Sequence, residues 1–151
     1  MEKTLSAAVL MLLSLAPFAS SAHTESDQSQ PFAVGVKVAS VASNKISVKF
    51  KVINKAVQTK KFWVWNCSYA EHWLTDNKVV SVEQQSCAEN SLEEISLHPG
   101  KLYSGSLELT VGQIPEPRIE FKLGFSPTDK PSGGAPIPTS WSRSIKVKIH
   151  D

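Results

Sequence analysis

Between Lys45 and Val52 the chain reads KISVKFKV, with Ile46, Val48, Phe50 and Val52 alternating with Ser47, Lys49 and Lys51. A period of two puts the four apolar side chains on one face of a pleated strand and the polar ones on the other. The same alternation returns along the chain. Val34, Val36 and Val38 share one parity. Leu107, Leu109 and Val111 alternate with Glu108 and Thr110, and Ile119, Phe121, Leu123 and Phe125 with Glu120 and Lys122. Ile145, Val147 and Ile149 close the series with Lys146 and Lys148 between them. LEEISL (92–97) is a short strand, and FWVW (62–65), apolar at both parities, predicts a strand buried on both faces. HPGK (98–101) supplies Pro and Gly for a turn, and SPTDKPSGGAPIPTS (126–140) is a Pro/Gly loop. Seven to eight short strands with no helical period predict an all-β, immunoglobulin-like antiparallel sandwich, since each sheet must bury one apolar face against another. A closed barrel is the alternative, and the long loop before the last strand favours the sandwich.

The opening residues belong to a different physics. Lys3 precedes an apolar run, LSAAVLMLLSLAPFA (5–19), too short to span a bilayer, and SSA (20–22) places small residues at a cleavage position. Residues 1–22 therefore read as a signal peptide cut between Ala22 and His23. The apolar run stops early and no basic cluster follows, so no membrane anchor is expected after processing. HTESDQSQP (23–31) reads as a flexible lead-in, and 32–151 as the sandwich domain. The expected location is periplasmic or secreted. The chain's two cysteines, Cys67 and Cys87, are expected to pair in that oxidising compartment. A closed loop of this length stabilises by roughly 3 kcal/mol in the chain-entropy model.

Three stretches then carry a resemblance. VKFKVINKAVQTKKFWV (48–64), LHPGKLYSGSLEL (97–109) and RIEFKLGF with WSRSIKVKI (118–125, 141–149) resemble the small immunoglobulin-like domains of bacterial exported proteins. There a strand ends in Asn, a short polar turn leads to an aromatic strand, and a hydrophobic-x-Pro-Gly turn opens a later strand. The layout is similar to the bacterial proteinase-inhibitor family, from which the Cys-bearing loop departs. The resemblance implies the fold and transfers no functional residue.

Charge narrows the function. Net charge is +2 with 20% charged residues, and the lysines are spaced singly along strands. That is a solvated face rather than a phosphate-binding stripe, so nucleic acid is not an expected partner. Hydrolytic signatures are also missing from the text of the chain. The serines of SGS (104–106) sit inside a strand-like run rather than on a sharp elbow. Glu93 and Glu94 are adjacent on a strand and point to opposite faces. SGGAP (132–136) is not followed by a lysine and a helix. The expectation is a non-enzymatic protein without a cofactor.

Metal binding has two versions. Cys67, His72, Cys87 and His98 could form a zinc set, but their spacing matches no finger and export favours the disulfide. Alternatively, cleavage after Ala22 leaves His23 at the mature N-terminus, where amine and imidazole together chelate copper. His72, His98 or His150 would supply the second imidazole of such a periplasmic copper-binding protein.

The densest aromatic stretch is WVWNCSYAEHWLTD (63–76). Trp63, Trp65 or both are expected in the core over the disulfide. Tyr69, His72 and Trp73 fall in the stapled loop 67–91, where exposed aromatics on a rigid loop make a recognition surface. Trp73 folding back to cap the sheet is the alternative. The reading is an exported binding module (inhibitor, immunity-type or accessory) that recognises a protein partner in the envelope through this loop. The copper protein built on His23 is the alternative from another class.

Overall fold

The computed structural model describes residues 30–113, 117–131 and 137–149. The signal-peptide reading, most of the lead-in with His23, and His150 lie outside the described residues.

The fold is all-β, and among the described residues the strand pairs run antiparallel, with one isolated parallel bridge between Val34 and Ser142. The first layer is a four-stranded sheet of β1 (Phe32–Ala42), β2 (Lys45–Asn54), β7 (Leu102–Val111) and β5 (Val80–Val82), in the order β1-β2-β7-β5. The alternation read from the sequence is realised here. Ile46, Val48, Phe50 and Val52 are buried, and Val48, Phe50 and Val52 stand opposite Leu107, Gly105 and Tyr103.

The facing layer is assembled from smaller pieces. β8 (Arg118–Phe121) pairs β11 (Ile145–Lys148), and β9 (Leu123–Phe125) pairs both β10 (Ser140–Trp141) and β4 (Trp73–Thr75). β3 (Lys60–Trp65) pairs β6 (Leu92–Leu97). The described residues thus hold eleven strands where the periodicity distinguishes seven to eight. Part of the excess is interruption. Between β8 and β9 the Lys122 N–H donates to the Asp76 carboxylate at 2.6 Å instead of to a neighbouring strand. The odd parity runs through the break, with Ile119, Phe121, Leu123 and Phe125 all buried.

The core is aromatic where the layers meet. The Phe62 ring lies 5.2 Å from Phe32 and 5.4 Å from Phe125, both edge-on. FWVW departs from the expectation of burial on both faces. Phe62 and Val64 are buried, whereas Trp63 and Trp65 are only half-buried. β3 lies in an outer layer whose far face meets solvent, so only one parity can reach the core.

The layers are tied at one corner by Asn54, fully buried at 0% exposure. Its Nδ2 donates to the Gln58 carbonyl at 2.8 Å and the Leu97 carbonyl at 2.7 Å. Its Oδ1 accepts from Ala56 N–H at 2.9 Å. Gly100 N–H donates to the Asn54 carbonyl at 2.9 Å, and Gly100 adopts φ +70°, the left-handed region open to glycine. The strand-ending Asn and the Pro-Gly turn, far apart in sequence, are two halves of one hydrogen-bonded corner.

Candidate functional site

The stretch that follows β3 turns at once. Asn66 continues the β3–β6 ladder by donating its N–H to the Ser91 carbonyl at 3.0 Å, while Ser91 N–H donates to Asn66 Oδ1 at 3.1 Å. Cys67 is bonded to Cys87 with Cα atoms 6.1 Å apart, as expected from the two-cysteine count. Asn90 Oδ1 accepts from the N–H groups of Cys67 and Ser68 at 3.4 and 3.3 Å. Residues 66–91 are therefore a stapled and internally bonded segment, carrying a 3-10 turn (Tyr69–His72), β4 and β5. The disulfide removes both thiolates from the zinc set considered above.

The three aromatics proposed for recognition separate in space. Trp73 is 4% exposed, on β4, with ring centroids 4.4 Å from Phe50 and 4.9 Å from Phe125. It spans both layers. His72 is 6% exposed, and its Nε2 accepts from the Trp65 N–H at 3.1 Å. That bond requires a neutral ring nitrogen without a proton, and burial accordingly holds the His72 pKa below its ordinary value; the Ser126 carbonyl and Glu71 oppose the shift. The exposure expected for His72 and Trp73 is corrected by these positions: the chain folds back through the 3-10 turn and carries both inward. The core tryptophan is Trp73, not Trp63 or Trp65. His72 is also spoken for as a copper ligand, since its Nε2 lone pair is already engaged. His98 stands on the surface with Nδ1 2.9 Å from the Thr59 hydroxyl.

Tyr69 remains half-buried at the surface, and its hydroxyl donates to the Ser106 carbonyl at 2.8 Å. This bond clamps the stapled segment onto β7. Beside it lies an open cleft of about 300 Å³ between β7 and the β3–β6 pair. Phe50, Val64 and Ile95 supply its apolar lining, with Tyr69, Tyr103 and Glu93 as polar groups. Gly105 forms part of its wall. A Cβ there would stand 2.7 Å from the Phe50 ring, so the ring takes the place a side chain would fill. Tyr103, next to it, has a phenol pushed up to about 12 by burial, with Tyr69 and Glu93 adding to the shift.

Sequence reasoning missed Glu93, Tyr103 and Gly105. The available signal was Gly105 itself, a glycine within the apolar parity of Tyr103, Leu107 and Leu109, where a strand glycine marks close approach of another group.

No helix of the described residues is long and apolar enough to cross a membrane. No protein-family model matches the chain, and no curated protein matches it. Among solved structures, the crystal structure of FixG-related protein from Vibrio parahaemolyticus resembles it with a TM-score of 0.43 and 15% sequence identity. The match covers 81% of this chain and 99% of that one.

Proposed function

We propose that the chain is an exported, non-enzymatic, immunoglobulin-like module that binds another protein in the envelope. The recognition surface is the cleft edge of the stapled segment, with Tyr69 and its neighbours Trp65, Glu93 and Tyr103 at the contact. The observation that carries this reading is the Tyr69 clamp: a half-buried aromatic held by its hydroxyl at 2.8 Å beside an open cleft of about 300 Å³. A fixed aromatic with a polar tip loses little side-chain entropy on binding, and the staple limits loop ordering as well. The sheet order β1-β2-β7-β5 supports the immunoglobulin-like assignment, since it places the first two strands beside a late strand, as in the four-stranded sheet of that fold. The disulfide supports an oxidising, extracytoplasmic location.

The test is capture from envelope extract by the mature protein, with bound proteins identified by mass spectrometry. Tyr69→Ala, shown to be folded by its thermal transition, is expected to lose the partner. Retention of the same partner by folded Tyr69→Ala refutes this surface.

A further inference from the structure

β7 is covered unevenly. β2 pairs with it from Thr110 to Leu102, whereas β5 pairs only from Val111 to Leu109. The last backbone bond on the β5 side is donated by Glu83 N–H to the Glu108 carbonyl at 2.8 Å, after which the chain leaves toward Cys87. From Leu102 to Leu107 that edge has no strand partner among the described residues. Backbone groups of an antiparallel strand alternate between its two edges. Lys101 accepts from β2 through its carbonyl, and Glu108 accepts from the other side, so even-numbered residues point to the open edge. Ser104 and Ser106 therefore present their backbone outward, and only the Ser106 carbonyl is taken, by Tyr69.

The cleft runs along this same edge, lined by Ser104, Gly105 and Ser106 on one side and by Glu93 and Ile95 of β6 on the other. Glu93 is the one charged residue among its lining. Its neighbour Glu94 is paired with Lys61 at 2.8 Å, while Glu93 enters none of the ion pairs of the described residues. Two tyrosines, Tyr69 and Tyr103, stand with it. An unpaired carboxylate between aromatic rings suits an ammonium or guanidinium whose alkyl stem lies on the rings.

Resting on the recognition surface proposed above, we infer that the open edge of β7 is a strand-docking groove for an extended segment of the partner protein that carries Lys or Arg. The segment adds to β7 through the Ser104 N–H, the Ser104 carbonyl and the Ser106 N–H. Every second side chain then enters the cleft, where one basic residue meets Glu93. The chain's own lead-in is a poor occupant on charge and on place. HTESDQSQ carries Glu25 and Asp27. It also joins the domain at Gln30, whose Oε1 accepts from Trp141 N–H at 2.8 Å, against β10 on the β1 side of the sheet.

The experiment uses the mature full-length protein and fluorescein-labelled alternating threonine–valine peptides of about seven residues, a usual strand length. Their central residue is lysine, alanine or glutamate. Fluorescence polarisation is expected to show the lysine peptide binding about two- to fivefold tighter than the alanine one, the scale of one partly screened ion pair, with glutamate weakest. Glu93→Gln is expected to erase that ranking. Saturation with the lysine peptide should slow amide exchange at Ser104 and Ser106. Ser104→Pro removes an outward N–H that no ladder bond uses, a place where an edge proline is tolerated, and should abolish binding of every peptide. Should that variant fail to fold, the Glu93→Gln ranking alone decides. Equal affinity for the three peptides, or undiminished binding by folded Ser104→Pro, overturns the inference. So does a concentration-dependent dimer dissolved by Ser104→Pro, which would make a second copy the occupant. In the envelope capture, loss of the partner by Tyr69→Ala but not by Ser104→Pro sinks strand docking and leaves the recognition surface standing. Retention by Tyr69→Ala sinks the surface itself.

Discussion

Asn54→Ala should be among the most destabilising polar-to-alanine changes in this domain. Three side-chain bonds are lost at a fully buried residue: two donated to the Gln58 and Leu97 carbonyls and one accepted from Ala56 N–H. Their partners differ in what happens next. Gln58 is exposed and Ala56 half-buried, so water can replace Asn54 there, and each loss is a net hydrogen bond of about 1 kcal/mol. Leu97 is buried, but its carbonyl stands opposite Lys60 in the β3–β6 ladder, so it loses one of two acceptances, again at about 1 kcal/mol. The sum is about 3 kcal/mol, or on the order of 10 °C in the thermal midpoint of a domain this size. Urea unfolding followed by tryptophan fluorescence reads the difference directly, with an unchanged slope required for the comparison. Asn54→Asp separates bonding from shape. It keeps the acceptor, removes both donations and sets a carboxylate against two carbonyls, so its folded-state pKa is raised. Its deficit should therefore grow as pH rises through the ordinary aspartate range, about pH 4, and shrink below it. A loss under about 1 kcal/mol for Asn54→Ala, at equal slope, would refute the corner as an anchor of the two layers.

The tryptophans give a sharp ordering: Trp73→Ala should cost about 3–5 kcal/mol as a buried aromatic, and Trp65→Ala clearly less because that residue is half-buried. The reverse order in urea unfolding would place the core elsewhere. His72 sets a pH dependence, because its folded pKa lies below the ordinary value of 6.5 and the unfolded chain takes up the proton first. Stability should be full above about pH 6.5, fall as pH drops through that value toward the folded pKa, and level off beyond it; His72→Gln should flatten the fall, seen in urea midpoints across the range. Replacing Cys67 and Cys87 together by Ser should cost about 3 kcal/mol through the freed unfolded loop, and a loss below about 1 kcal/mol would refute the chain-entropy account.

The alternation in the sequence was enough to assign faces wherever a strand has one apolar parity. Ile46, Val48, Phe50 and Val52 needed no tertiary information, since a period of two allows only one of their faces to be buried. The two cysteines likewise named their own partner. FWVW was different, because both parities are apolar and local pattern cannot say which meets the second layer; the pairing of β3 with β6 in an outer sheet decided it for Phe62 and Val64. Trp73 and His72 were unreadable for a related reason. Their burial depends on a 3-10 turn that brings Trp73 against Phe125, a residue half the domain away in sequence. The cleft lies furthest from the sequence. It arises where β5 stops covering β7 and where the Phe50 ring packs against Gly105, and both are relations between strands that no single segment encodes.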